Sequence, residues 1–260
     1  MTVLTKRLAA VAALMILGGC GQAAGPEAAK PAAPTPAEVL KKAVPSTATD
    51  VFHYAITGGV QTGSGVVDSA KKTMTIDVTQ KEPDAGFTMT MKLLMVGDDA
   101  WAKISFGGDT TGLDLPALPK KWMKLDAAKL GADAQDMTYD GQIDPGNVST
   151  LVDAAAGLTE KSPGHFAGTV DLTQAADADI VEAETLSALG DKARAVPFEA
   201  TLDARGRVST ATVRVPAAGK SKALTYHVTY DQYDSARSPS APTGSAQVKA
   251  PKAAYDLLNG

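Results

Sequence analysis

Between positions 51 and 106 apolar and polar residues alternate along the chain. Met74, Ile76 and Val78 share one side, and Thr75, Asp77 and Thr79 the other. In "FTMTMKLLMV", Phe87, Met89, Met91, Leu93 and Met95 alternate with Thr88, Thr90, Lys92 and Leu94. A period of two puts successive side chains on opposite faces, so these stretches predict strands with one apolar face. "VFHYAITGGV" and "GSGVVDSAKKTMTIDVT" read as strands joined by Gly-rich and Asp/Ser turns. Gly97-Asp98-Asp99 predicts a hairpin turn and Ala100 to Phe106 its return strand. "KKWMKLD" follows, then a short helical piece around Ala127 to Leu130.

Three segments carry the helical period instead. Thr35-Pro36 reads as an N-cap followed by Pro at the first helical position, with Val39, Leu40 and Ala43 as the apolar stripe. Asp144-Pro145 predicts the start of a second helix, with Val148, Leu151, Val152 and Ala155 on one face and Gly157 near its end. A third helix is expected over about 176–189, with Ile180, Val181, Leu186 and Leu189 facing the core and Gly190 as terminator.

The C-terminal part returns to alternation. "HFAGTVDLT" is a strand, and "VPFEATLDARGRVSTATVRV" is two strands around Arg205-Gly206. "KALTYHVTYDQY" is a further strand, with Leu224, Tyr226, Val228 and Tyr230 on one face. Residues 235–246, rich in Ser, Pro and Ala, predict a loop, and "QVKAPKAAYDLL" a short edge strand and a final turn. The pattern implies an α+β fold: a large antiparallel sheet whose one apolar face two or three helices must cover.

The N-terminus reads differently. Lys6 and Arg7 precede an apolar run from Leu8 to Leu17. That length suits a signal peptide and falls short of the roughly 20 residues a membrane-spanning helix needs. Leu17-Gly18-Gly19-Cys20 resembles a bacterial lipobox, and Cys20 is the only cysteine of the 260 residues. Residues 1–19 are therefore expected to be a signal peptide, and Cys20 the lipidated N-terminus of the mature chain. Residues 20–35 form a spacer too poor in large apolar side chains to fold. Residues 36–260 make up a single domain. Attachment is then to the extracytoplasmic face of the cell membrane, by two or more acyl chains.

Charge narrows the partners. Removing residues 1–19 takes the formal charge from −4 to −6, because Lys6 and Arg7 go with it. An acidic chain argues against nucleic acid and against electrostatic docking on anionic lipid heads, so the tether rather than charge is expected to supply membrane attachment. Aromatics are only 5%, so Ala, Val, Leu and Met carry the packing.

The residues offer no catalytic signature. His53, His165 and His227 are scattered and lack metal-ligand spacing. No G-x-S-x-G elbow occurs. Gly63-Ser64-Gly65 opens a strand rather than a helix, unlike a phosphate loop. Asp177 and Asp179 sit where a helix start favours carboxylates. Asn147-Val148-Ser149 matches a glycosylation sequon only by letter. The expectation is a non-enzymatic protein without cofactor or metal.

The lipobox, "AWAKI…KWMKLD", "HFAGTVDLT", "VPFEATLDARGRVSTATVRV" and "LTYHVTYDQY" together resemble the actinobacterial LppX/LprA/LprF/LprG-type lipoproteins, over residues 37–260 in element order and spacing. The resemblance implies a LolA/LolB-like half-barrel: a curved antiparallel sheet with helices on its concave face, enclosing an apolar cavity. It implies binding of an acylated lipid or lipoglycan, and its movement across the envelope, by a monomer. The cavity lining expected on this basis is Met74, Ile76, Met89, Met91 and Leu93, with Leu151 and Val152, Leu186, Phe198 and Val213. The same methionine face also reads as ordinary core of an envelope interaction or regulatory module with a protein partner. Methionine suits a lining that must repack, being unbranched and polarisable.

Overall fold

The computed structural model describes residues 33–47, 49, 51–60, 62–82, 86–131, 139, 141 and 143–259. Residues 1–19, Cys20 and most of the spacer therefore lie outside the described residues. Pro34–Gly260 forms one compact unit. All its described buried apolar residues except Leu94, Trp101 and Ala236 fall in one cluster from Leu40 to Tyr255, so the unit carries a hydrophobic core of its own, as a domain that folds alone requires.

The first helix, α1 (Pro36–Ala43), starts as its sequence predicts. The Thr35 hydroxyl accepts from the Glu38 amide and the Glu38 carboxylate accepts from the Thr35 amide, a complete capping box. Leu40 and Ala43 are its buried stripe. The strands are β1 (Phe52–Thr57), β2 (Gly63–Asp68), β3 (Thr73–Glu82), β4 (Phe87–Val96), β5 (Asp99–Gly108) and β6 (Trp122–Lys124), then β7 (Ala155–Ser162), β8 (His165–Val170), β9 (Val196–Leu202), β10 (Val208–Val215), β11 (Leu224–Asp231) and β12 (Gln247–Lys249). The remaining helices are α2 (Val148–Asp153), α3 (Ala183–Leu189) and α4 (Lys252–Leu258).

The twelve strands of the described residues belong to one open sheet, in the order β12-β6-β5-β4-β3-β2-β1-β11-β10-β9-β8-β7. Every pairing is antiparallel except β12 with β6. The register carries one apolar face across the sheet. On β1 and β11 it presents Tyr54 opposite Tyr230 and Ile56 opposite Val228. On β10 and β9 it presents Val213 opposite Phe198 and Ala211 opposite Ala200. Leu40, Val148, Leu151, Val152, Ile180 and Leu189 from the helical segments belong to the same core, which makes this the inner face.

The second predicted helix is shorter than its apolar spacing suggests. It stops at Asp153, and Ala155 opens β7 instead. Gly157, expected near the helix end, sits within β7 at φ +62°. Pairing of β7 with β8 outweighs the weak strand propensity of "AAGLTEKS". Nor is the third predicted helix continuous. A 3-10 turn at Ala176–Ala178 ends on Asp179 at φ +53°, and α3 begins only at Ala183. A left-handed residue cannot sit inside a right-handed helix.

After β11 the chain lies eighth in strand order, and its next strand, β12, lies first. Residues 232–246 must span seven strand spacings, about 34 Å, with a fully extended reach of about 50 Å. They do so as a strap across the outer face. Ser238 hydrogen-bonds the buried Asp68 at the end of β2. Leu94 and Trp101, outer-face neighbours on β4 and β5, are only 3% and 2% exposed. Ala236 of the strap is buried as well. The hydroxyl of Thr73, also buried, finds no hydrogen-bond partner among the described residues.

Candidate functional site

The inner face of β3, β4 and β5 is laid out in rows by its register. Met74, Met95 and Ala100 form the row beside the turns, and all three are buried. Ile76, Leu93 and Ala102 form the next, followed by Val78, Met91 and Ile104. Met89 stands opposite Phe106, and Phe87 beyond them packs edge-on against Phe106 with ring centres 6.1 Å apart. Burial fades along this series. Ile76, Val78, Met91, Met89, Phe106 and Phe87 are all half-buried, whereas Leu93, Ala102 and Ile104 are closed off.

In the C-terminal half the same face is sealed at its centre and half-buried toward the strand ends at Leu202 and Leu224. Phe198, Val213 and Val228 are fully buried, as are Val148 and Leu151 of α2. The ten residues expected to line a cavity thus fall into two groups. Met74, Leu93, Leu151, Val152, Phe198 and Val213 lie in the closed core, and Ile76, Met89, Met91 and Leu186 are half-buried at its margin. The half-buried strip also includes Val78, Phe87 and Phe106, beside the buried Ile104; none of these four was expected in the lining. The hairpin about Gly97-Asp98-Asp99, legible in the sequence, brings the β5 pair onto this face once its register is counted.

A buried polar knot fixes the helical side to the sheet. The Tyr230 hydroxyl donates to Asp144, whose second carboxylate oxygen accepts from the Ser149 amide at 2.7 Å and its hydroxyl at 2.8 Å. The Gly146 amide donates to Tyr230 Oη at 3.0 Å, and Tyr226 Oη donates to the Gly146 carbonyl at 3.0 Å. A Cβ on Gly146 would stand 2.5 Å from Val228 Cγ1, so glycine lets the segment lie directly on β11. Burial, reinforced by the Asp144 charge, pushes both hydroxyls above the ordinary tyrosine range. They are neutral donors at any physiological pH, and their geometry is that of a lock rather than of an acid–base pair.

Among the histidines, His53 Nδ1 meets Asp231 Oδ1 at 2.7 Å, while His227 lies between the Thr212 and Thr229 hydroxyls. Among the described residues no group of three His, Cys, Asp or Glu side chains is placed to hold a metal ion, and no helix is long and apolar enough to cross a membrane.

The sheet also carries points of very close backbone approach, one where Gly58 meets the Thr225 carbonyl of β11 and one within the β2–β3 pair. Between the Ser64–Asp77 and Val67–Met74 pairs the β2–β3 ladder is interrupted. There the Val66 amide donates to Thr75 Oγ1 at 2.9 Å, and Tyr54 Oη donates to the Thr75 carbonyl at 3.0 Å. A Cβ on Gly65 would lie 1.8 Å from that carbonyl oxygen. Glycine inside a strand marks such an approach, and it falls between the β3–β6 wing and the β1, β11–β7 wing. No protein-family model matches this chain, and a comparison with curated proteins finds no match either.

Proposed function

We propose that this chain is a lipid-anchored envelope lipoprotein that holds the acyl chains of a lipid or lipoglycan against the inner face of β3, β4 and β5. The observation carrying this reading is the strip of half-buried apolar side chains there: Ile76, Met89, Met91 and Phe106, packed against a closed core. In this reading the sheet is a curved half-barrel with the helices on its concave side, and the Gly65 approach is where the curvature concentrates. Cys20 is the anchor and residues 21–35 give reach.

The energetics suit a carrier. Each CH₂ withdrawn from water contributes about 0.8 kcal/mol, so a chain of about a dozen carbons resists leaving a bilayer by roughly 10 kcal/mol. An apolar strip removes most of that cost without catalysis. Methionines supply side chains that repack between empty and loaded states, limiting the void left behind.

A second reading, an interaction module with a filled core and a protein partner, draws on the sealed centre of the C-terminal half, where Leu151, Phe198 and Val213 leave no exposed surface. Titration with a fluorescent fatty acid separates the two. On the lipid reading the wild-type chain binds the probe, and Met91→Arg keeps its fold but loses binding by at least roughly tenfold. Absence of binding by a folded wild-type chain favours the second reading.

A further inference from the structure

We propose that the sheet edge formed by β5, β6 and β12, together with the loop 109–121 leading into β6, docks on an anionic bilayer surface. The chain as a whole carries a formal charge of −4, yet lysines gather on the outer side of this edge. Lys92 stands opposite Lys103 across β4 and β5. Lys249 stands opposite Lys124 across β12 and β6. Like charges facing each other on paired strands cost free energy, and the fold offsets that cost only in part. Lys92 is paired with Asp77, and Lys124 with Asp99 at 2.9 Å. Lys103, Lys120 and Lys121 form no ion pair with a described residue.

Two features favour a bilayer over a soluble anion. Lys103 Nζ lies 5.7 Å from the centre of the half-buried Trp122 ring, whereas Trp101, against which Lys124 packs, is buried and takes no part. Tryptophan beside lysine is the combination that settles at headgroup level, ring toward the acyl region and charge toward phosphate. Leu113, in the loop, is 36% exposed, and among the described residues only Val60 is a comparably exposed large apolar side chain. An apolar tip followed by Lys120-Lys121 and the half-buried Trp122 has the order of an interfacial contact. Asp98, Asp99 and Asp126 rim a cleft of about 650 Å³ together with Lys124 and Lys249. Their charge, with that of Asp109 and Asp114 in the loop itself, leaves a small positive excess around Lys103, Lys120 and Lys121.

So small a patch binds weakly alone. A tether raises its effective concentration at the membrane, and in the cell the docking rests to that extent on the anchored reading. It would hold the domain in one orientation on the surface from which lipid is taken.

The test uses Pro34–Gly260 and does not depend on Cys20. Sedimentation with vesicles of about one-third phosphatidylglycerol in phosphatidylcholine is compared with pure phosphatidylcholine at low salt. Each lysine near an anionic surface contributes roughly fivefold. The triple variant Lys103→Gln, Lys120→Gln, Lys121→Gln is therefore expected to lose roughly a hundredfold in binding and fall to the level seen with neutral vesicles. Leu113→Asp is expected to lose roughly tenfold. The control Lys161→Gln, Lys192→Gln, Lys222→Gln, in the C-terminal half, keeps wild-type binding. Fatty-acid uptake by the lysine triple variant stays unchanged, which separates this proposal from the lipid-binding one. Equal binding to both vesicle types, or wild-type binding by the lysine triple variant, overturns it. So does capture of inositol hexakisphosphate through these lysines without vesicle binding.

Discussion

The indole N–H of Trp101 donates to Gln247 Oε1 at 2.7 Å, joining the outer face of β5 to a strand that the chain forms 146 residues later. Gln247 Nε2 in turn donates to the Pro242 carbonyl at 2.7 Å. The strap therefore ends in a side-chain clasp as well as in the short β12–β6 pairing. Gln247→Ala leaves the buried indole N–H without a partner, at a cost of about 1–3 kcal/mol. Urea unfolding measures the loss, and faster hydrogen exchange at 247–249 locates it. An unchanged midpoint would mean that the clasp contributes nothing.

Gly65→Ala is expected to be among the most damaging single-methyl additions. The new Cβ meets a backbone carbonyl at 1.8 Å, which cannot rotate away as a side chain can. The β2–β3 seam must separate, and about 3 kcal/mol or more of stability is lost. Thermal unfolding checks this. Gly112→Ala makes the comparison: its Cβ would meet nothing within 4 Å, although its φ of +77° adds some strain.

Asp144 holds three donors at once: the Tyr230 hydroxyl, the Ser149 amide and the Ser149 hydroxyl. Asp144→Ala strands them in a buried site and is expected to cost about 3 kcal/mol. Tyr226→Phe gives up a single bond to the Gly146 carbonyl and is expected to cost about 1 kcal/mol. Equal losses in denaturant titrations would contradict this ordering.

Where local pattern decides structure, the sequence is readable. Leu224, Tyr226, Val228 and Tyr230 alternate, and all four face inward on β11. The Thr35–Glu38 box starts α1 as its letters predict. The misreadings arise where distant partners decide. Ala155 continues an apolar helical stripe, yet its place is set by Val170 across the β7–β8 pair. Residues 235–246 read correctly as a loop, but nothing local in "RSPSAPTGSA" says that they cross the outer face to reach β6. For the candidate site, the methionine face was legible from its period. The split between sealed Phe198 and half-open Met91 was not, because it depends on which strands the helices cover.

Acid should loosen the strap. Burial alone would raise the Asp68 carboxyl, but hydrogen bonds from Ser238 and Lys71, with the Lys71 charge, hold it below its ordinary value. The unfolded chain titrates there near about 3.9, so it binds more protons than the folded chain as pH falls. The stabilisation is complete above about pH 5 and is lost as pH drops through the unfolded value toward the lower folded one. Asp203 acts in the same direction: Arg207 and backbone amides overcome its burial. Asp68→Asn is expected to be less stable at neutral pH and to show a shallower decline below about pH 4. Identical acid slopes for the two proteins would remove Asp68 from the account.

The most direct measurement is native mass spectrometry of the chain purified from its own host, followed by extraction and identification of what it carries. The account predicts a stoichiometric acylated lipid or lipoglycan on the wild-type chain and its loss in folded Met91→Arg. A wild-type chain that is folded, lipid-free and indifferent to added fatty acid would contradict it.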